Sequence, residues 1–206
     1  MTFEHWPYDP VAVYRKCYAH DEYRMRDQRS KVLRKYLSHR RKHGEHRTFL
    51  DVSCGLGESL SVAAKIGYDP FGVDLDVVPH ESIMLAAAAG WFDYYEGLHT
   101  LPRFLGKHET YDIVSCQEVL EHLPTEAEID HAIGALFMMA DKKLWLTVST
   151  SPDRWGPEHV GYDLHLTVRT RNWWVERVKK VTGHPVRVFD DWIFKAGFLP
   201  MEVARA

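Results

Sequence analysis

From Thr48 onward, short β-rich runs alternate with helix-length stretches, and this alternation limits the fold more than any other feature of the chain. The pattern predicts strands at Thr48–Val52, Phe71–Asp74, Phe92–Tyr95, Tyr111–Ser115, Leu144–Val148, Val186–Phe189 and Met201–Ala204. Helices are expected at Glu58–Ile66, closed by Gly67, and at Ile83–Ala89, Glu126–Met139 and Asn172–Val181. A strand that returns through a helix pairs parallel with its predecessor, because the crossover brings the chain back in the same direction. The expected fold is therefore a doubly wound α/β sandwich on a mostly parallel sheet. The last two strands have no helix between them and are expected as an antiparallel edge pair. Before Thr48 the chain reads as helical from Pro10. Val11, Val13, Tyr14 and Tyr18 share one spacing; Val32, Leu33, Tyr36 and Leu37 share another, which stops at Gly44. A length of 206 residues suits one domain, 1–206, with a helical extension over 1–46 and an α/β core over 47–206.

Composition excludes several classes. Hydrophobic and charged fractions of 45% and 27% are those of a globular protein. No run approaches the roughly 18 apolar residues of a membrane helix. The opening Met1-Thr-Phe-Glu-His-Trp-Pro7 has neither a basic start nor an apolar run, so a cytoplasmic location is expected. Cys17, Cys54 and Cys116 are odd in number and lack a CxxC, which fits free thiols rather than a disulfide framework or zinc site. Charge is uneven. Between Arg24 and Arg47, ten Lys/Arg against Asp27 and Glu45 give +8, leaving −11 for the rest of a chain of net charge −3. That stretch reads either as a solvated helix face or as a surface for an anionic partner.

The loop after the first strand, Asp51-Val-Ser-Cys-Gly-Leu-Gly57, lies where open α/β sheets bind ligands, beyond the carboxyl end of a strand. Gly55 and Gly57 permit a tight turn and close backbone approach. A dinucleotide fingerprint would need a third glycine where Leu60 stands, and Glu58 would place a negative charge where pyrophosphate must sit. No Gly-Lys-Ser/Thr follows, which excludes a P-loop. At the end of the second strand, Asp74 can accept hydrogen bonds from two ribose hydroxyls, and Leu75 can pack on adenine. The pair of features points to an adenosyl cofactor without phosphate.

Three segments carry a resemblance: Thr48-Phe-Leu-Asp-Val-Ser-Cys-Gly-Leu-Gly57, Gly72-Val-Asp-Leu75 and Tyr111-Asp-Ile-Val-Ser-Cys-Gln-Glu-Val-Leu-Glu-His-Leu-Pro124. As a set they resemble successive motifs of class I S-adenosylmethionine (SAM)-dependent methyltransferases, in the group of methyltransferase domains of types 11 and 23. The resemblance implies a Rossmann-like fold and a SAM cofactor. It implies that Asp51 and the backbone of Ser53, Gly55 and Gly57 hold the methionine moiety, and that Asp74 holds the ribose. Leu98 would border the adenine, with Cys116 and Gln117 near the sulfonium. Tyr23-Arg-Met25 is similar to a segment that touches the cofactor carboxylate in some members, which makes Arg24 a candidate. Ser53 departs from the glycine usual at its position, and Glu96-Gly-Leu98 lacks the acidic residue that often meets the adenine amino group.

Glu118-Val-Leu-Glu-His122 follows the fourth strand directly. On a helical turn, Glu118, Glu121 and His122 would share one face. Oxygen and nitrogen donors of this kind suit Mg²⁺, Mn²⁺ or Zn²⁺. The E-x-x-E-H pattern resembles the ubiquinone-pathway O-methyltransferases and the small-RNA 2′-O-methyltransferases, in which these side chains coordinate a divalent ion. His159 and His165 are candidates for a further ligand. The metal set is then Glu118, Glu121, His122 and His165. The other reading makes His122 a general base or orienting group, with Glu121 and His165 in support, since a Glu-His pair also occurs here in members without metal. Trp155, flanked by Pro152 and Pro157, is a candidate wall for the acceptor.

The expected reaction is O-methylation of a small-molecule or glycan hydroxyl, because the length leaves no room for a separate target-recognition domain. No N/D-P-P-Y/F motif follows the fourth strand, which argues against methylation of base amino groups. The alternatives are an RNA- or DNA-directed enzyme using the basic 24–47 stretch, and a catalytically silent SAM-binding protein.

Overall fold

The computed structural model describes residues 5–24, 28–43, 47–75, 92–95, 109–190 and 197–205. Strands β1 (Thr48–Val52), β2 (Asp69–Leu75), β3 (Phe92–Tyr95), β4 (Tyr111–Gln117), β5 (Ala140–Ser149), β6 (Val186–Val188) and β7 (Phe198–Ala204) form one sheet, ordered β3-β2-β1-β4-β5-β7-β6. The helices are α1 (Pro10–Ala19), α2 (Asp21–Arg24), α3 (Gln28–His43), α4 (Glu58–Ile66), α5 (Glu126–Met139), α6 (Trp155–His159) and α7 (Arg171–Thr182). The expected helix over Ile83–Ala89 and the stop at Gly44 lie outside the described residues.

Strands β1 to β5 pair parallel with one another. The antiparallel pair expected at the end of the chain is present, but its order in space differs from its order in sequence. Strand β7 inserts between β5 and β6 and pairs antiparallel with both. Burial explains the choice. Leu199, Met201 and Val203 of β7 are buried, as an inner strand requires, whereas the short Val-Arg-Val of β6 turns Arg187 to solvent at the edge.

Period-two alternation assigns the strand residues to two faces. Leu50, Val114, Leu144 and Leu146 pack against Ile129, Ile133 and Leu136 of α5 and against Trp174 and Val178 of α7. Phe49, Ile113 and Trp145 face the opposite way, onto Val32, Leu33, Tyr36 and Leu37 of α3 and Leu60 and Ala63 of α4. The apolar stripe of the N-terminal extension is thus a layer of the main core. Its basic face is partly consumed as well. Arg40 pairs with Glu202 on β7, and the Tyr36 hydroxyl donates to the same carboxylate at 2.7 Å.

Local signals set the helix ends. α4 follows Gly57 and stops at Gly67 (φ 97°), whose N–H donates to the Ala63 and Ala64 carbonyls. Thr125 and Glu128 form a reciprocal capping box at the start of α5, which contributes about 1 kcal/mol. α1 starts on Asp9, whose carboxylate accepts from the Val11 and Ala12 N–H groups. Through Val13 and Cys17 it packs on Trp155 and Leu164, in the segment after β5. Among the described residues no helix is long and apolar enough to cross a membrane.

Candidate functional site

The strand order reverses between β1 and β4, which lie side by side with Val52 opposite Cys116. The crevice outside the carboxyl ends of those strands is the place where the fold leaves room for a ligand. Both strand ends turn sharply there. Ser53 (φ 62°), just after β1, and Glu118 (φ 56°), just after β4, are the non-glycine residues of positive φ among the described residues. Such conformations cost about 1–3 kcal/mol each and persist where surrounding contacts over-determine them.

The contacts around Ser53 are plain. The Ser53 and Cys54 N–H groups donate to the Val73 carbonyl at 2.8 and 3.2 Å, which stitches the loop to β2. The Gly55 N–H donates to one carboxylate oxygen of Asp74 at 2.5 Å, and the Leu75 N–H donates to the other at 2.7 Å. Asp51 is buried and accepts from the Ser59 hydroxyl. Close approach is required at Gly72, where a Cβ would sit 2.6 Å from Leu60 and 2.7 Å from the Cys54 sulfur. Asp51 at the end of β1, Ser53, Gly55 and Gly57 in the loop after it, and Asp74 and Leu75 at the end of β2 are therefore brought together, with Cys116 and Gln117 at the neighbouring end of β4. Leu98 and the side chain of Arg24 lie outside the described residues.

Acidic groups line the crevice. Asp51, Asp74 and Glu121 are buried carboxylates. Desolvation, joined by the charges of Asp51, Glu121 and Asp74, pushes the Cys116 thiol well above its ordinary range. Desolvation, Asp74 and Asp51 do the same to Cys54. Burial is the larger cause at both thiols, and the neighbouring carboxylates add to it. It makes both cysteines packing residues rather than nucleophiles.

On the acceptor side the chain departs from the helical turn expected over Glu118–His122. Glu118 has a left-handed backbone, with its N–H donating to the Thr147 carbonyl at 2.8 Å, and only Leu120–His122 form a turn of 3₁₀ helix. Among the described residues, Glu118 is not in the group whose ligand atoms converge. The ligand atoms that lie within 4.8 Å of one another belong to Glu121, His122 and His165. His159 is turned away, its Nδ1 2.9 Å from the Trp155 carbonyl and its ring stacked on Trp155. Trp155 itself is buried as the seat of α1.

The three converging groups are held from behind. Glu121 accepts from the Ser149 N–H at 2.9 Å. The Nδ1 of His122 lies 2.7 Å from the Leu164 carbonyl, and the Nδ1 of His165 lies 2.7 Å from the Ser151 carbonyl. A carbonyl oxygen only accepts, so both Nδ1 atoms carry hydrogen, and in the neutral rings both Nε2 atoms carry the lone pair. Two imidazole nitrogens and a carboxylate then form a donor set that suits a divalent ion, and equally one that can accept a proton.

Sequence reading missed Tyr14, whose hydroxyl lies 2.7 Å from the Nδ1 of His122. Its helical spacing marks it as an apolar stripe residue, and no sequence signal separates a core tyrosine from one whose hydroxyl reaches a site 108 residues away.

A family model described as "Methyltransferase domain" matches residues 18–198. The chain is 28% identical over 118 residues to the ubiquinone biosynthesis O-methyltransferase of Salmonella arizonae, covering 57% of this chain and 49% of that protein. The chain spans about half the length of the curated relatives it matches. Among solved structures, the SAM-bound magnesium protoporphyrin IX methyltransferase of Synechocystis PCC 6803 superposes with a TM-score of 0.65 at 16% identity, over 98% of this chain and 94% of that one. The SAM-bound amino pentose methyltransferase CalS10 of Micromonospora echinaspora gives 0.62 at 16% identity, over 90% and 95%.

Proposed function

The chain belongs to the class I SAM-dependent methyltransferase family, and on that premise we propose that it methylates a hydroxyl oxygen of a small molecule or glycan. The observation that carries this reading is the convergence of Glu121, His122 and His165 at the carboxyl end of β4, beside the loop assigned to the cofactor. A hydroxyl is a weak nucleophile until its proton has somewhere to go, and a neutral imidazole nitrogen is a suitable destination. The acceptor oxygen attacks the methyl carbon in line, the carbon–sulfur bond breaks, and its electron pair returns to sulfur. The hydroxyl proton passes to Nε2 of His122, leaving S-adenosylhomocysteine and a methyl ether. Asp51, Asp74 and the loop backbone bind and orient the donor, and positioning supplies most of the acceleration. The curated relatives, named as O-methyltransferases, support oxygen as the acceptor atom.

The spacing of the three donor groups favours a second version of the same reading. Glu121, His122 and His165 would hold a Mg²⁺, Mn²⁺ or Zn²⁺ ion, which when bound lowers the pKa of a coordinated hydroxyl. Their Nδ1 hydrogens, donated to carbonyl oxygens, give the outer support that ligating histidines use.

Transfer of labelled methyl from SAM to a panel of phenols, sugars and oligosaccharides, with short RNA and DNA included, tests the proposal. The expected outcome is labelling of a hydroxyl-bearing small molecule or glycan, reduced about 100-fold or more by His122→Asn. EDTA separates the two versions, since it abolishes transfer if an ion is used and leaves it intact if His122 acts alone. Transfer to nucleic acid only, or to nothing while SAM still binds, would overturn the reading.

A further inference from the structure

The helix α1 reaches the reaction centre through a side chain that the chemistry above does not use. The Tyr14 hydroxyl and the Leu164 carbonyl both lie 2.7 Å from the Nδ1 of His122. They come from opposite parts of the chain, one from the N-terminal extension and one from the segment after β5. The Tyr14 and His122 rings meet edge to face, with centroids 5.8 Å apart at 74°. One oxygen partner fixes the tautomer. A second, from another element, restricts the ring further and so helps to fix where Nε2 points. His122 also meets the His165 ring edge to face at 5.0 Å.

The anchoring of Tyr14 is firm. Val13 and Cys17, adjacent to it on α1, are buried against Trp155 and Leu164. Burial pushes the Tyr14 hydroxyl well above its ordinary range, so it stays a neutral hydrogen-bonding group. One turn further along α1, Tyr18 places its hydroxyl 3.0 Å from the position that a Cβ on Gly55 would occupy. The same helix face therefore touches the cofactor loop through Tyr18 and the acceptor side through Tyr14.

We propose that Tyr14 is a positioning residue: from α1 it shares the Nδ1 hydrogen of His122 with Leu164, aims Nε2 at Glu121 and His165, and so makes the acceptor side competent only when α1 is docked. The inference rests on the reading of His122 as a group of the reaction centre. It predicts a defect in chemistry rather than in cofactor binding.

The test is a proton–nitrogen spectrum of ¹⁵N-histidine-labelled protein with S-adenosylhomocysteine, comparing wild type with Tyr14→Phe, which keeps the ring and removes only the hydroxyl. The expected result is an Nδ1–H resonance of His122, assigned by its loss in His122→Asn, that is protected in wild type. In Tyr14→Phe it broadens by exchange, while the His165 resonance and the melting temperature hold. S-adenosylhomocysteine affinity should stay within twofold, and kcat on any acceptor found should fall about tenfold at unchanged KM for SAM. An unchanged His122 resonance in Tyr14→Phe would overturn the inference. The spectrum needs neither acceptor nor metal. Full activity of His122→Asn would therefore sink the reading of the reaction centre, and a shifted resonance would still register the Tyr14 contact.

Discussion

At the scale of single residues, Ser53 shows how a departure from a family pattern becomes intelligible. A serine stands where the resembling enzymes carry glycine, and its φ of 62° is a conformation that glycine adopts without strain. The loop therefore keeps its shape against the preference of its own residue. Ser53→Gly should relieve that strain and raise stability by up to about 1 kcal/mol, read as a rise in melting temperature with the cofactor loop unchanged. A drop in stability would mean that the serine side chain makes a contact worth more than the strain. Glu118 illustrates what the sequence could not reveal. The string Glu118-x-x-Glu-His122 reads as a helical face only if every residue is helical, and the positive φ at Glu118 breaks that face. Backbone conformation at a strand end is decided by the hydrogen bond to Thr147 on the neighbouring strand, which no local pattern records. Asp74, in contrast, was legible, because a carboxylate at the end of the second strand is placed by strand alternation alone.

At the scale of elements, helix boundaries were close to what spacing and caps predict, with α4 ending at Gly67 and α5 starting at the Thr125 cap. The position of β7 was not legible, since its neighbours in space are set by which strand can be buried on both faces. The start of the sheet is tied by a carboxylate of a different kind. Burial disfavours the charge on Asp112, but Lys142 on β5 and the N–H groups of Arg47 and Thr48 outweigh it and hold the carboxyl at about 2. The Arg47 and Thr48 N–H groups donate to it at 2.6 and 3.0 Å, and the Lys142 ammonium lies 2.7 Å away. A carboxyl with a depressed folded pKa stabilises the protein above its unfolded value near 4 and loses that stabilisation as pH falls toward 2. Allowing for solvent screening, the contribution is about 1–2 kcal/mol. Asp112→Asn should lower the melting temperature at pH 7 by about 2–8 °C and flatten the acid limb of the stability curve between pH 4 and pH 2. Equal losses for wild type and variant across that window would contradict the assignment.

At the scale of the whole molecule, the sheet order, the two strained strand ends and the buried carboxylates combine at one crevice. The reversal between β1 and β4 places it, and Asp51, Asp74 and Glu121 line it with buried carboxylates. The N-terminal extension is a layer of the core through α3 and reaches the crevice through Tyr14 and Tyr18 of α1. Its basic stretch is weaker evidence for an anionic partner than its composition implies, because Arg40 is committed to Glu202. Charge counts cannot distinguish an inward arginine from an outward one.

The most direct measurement of the central claim is a calorimetric titration with S-adenosylhomocysteine of the wild type and of Asp74→Asn, with a nicotinamide dinucleotide as the competing ligand. The expected result is 1:1 binding to the wild type, a loss of about 10- to 100-fold in Asp74→Asn from weakened charged hydrogen bonds, and no displacement by the dinucleotide. Absence of binding to the wild type, or preference for the dinucleotide, would contradict it.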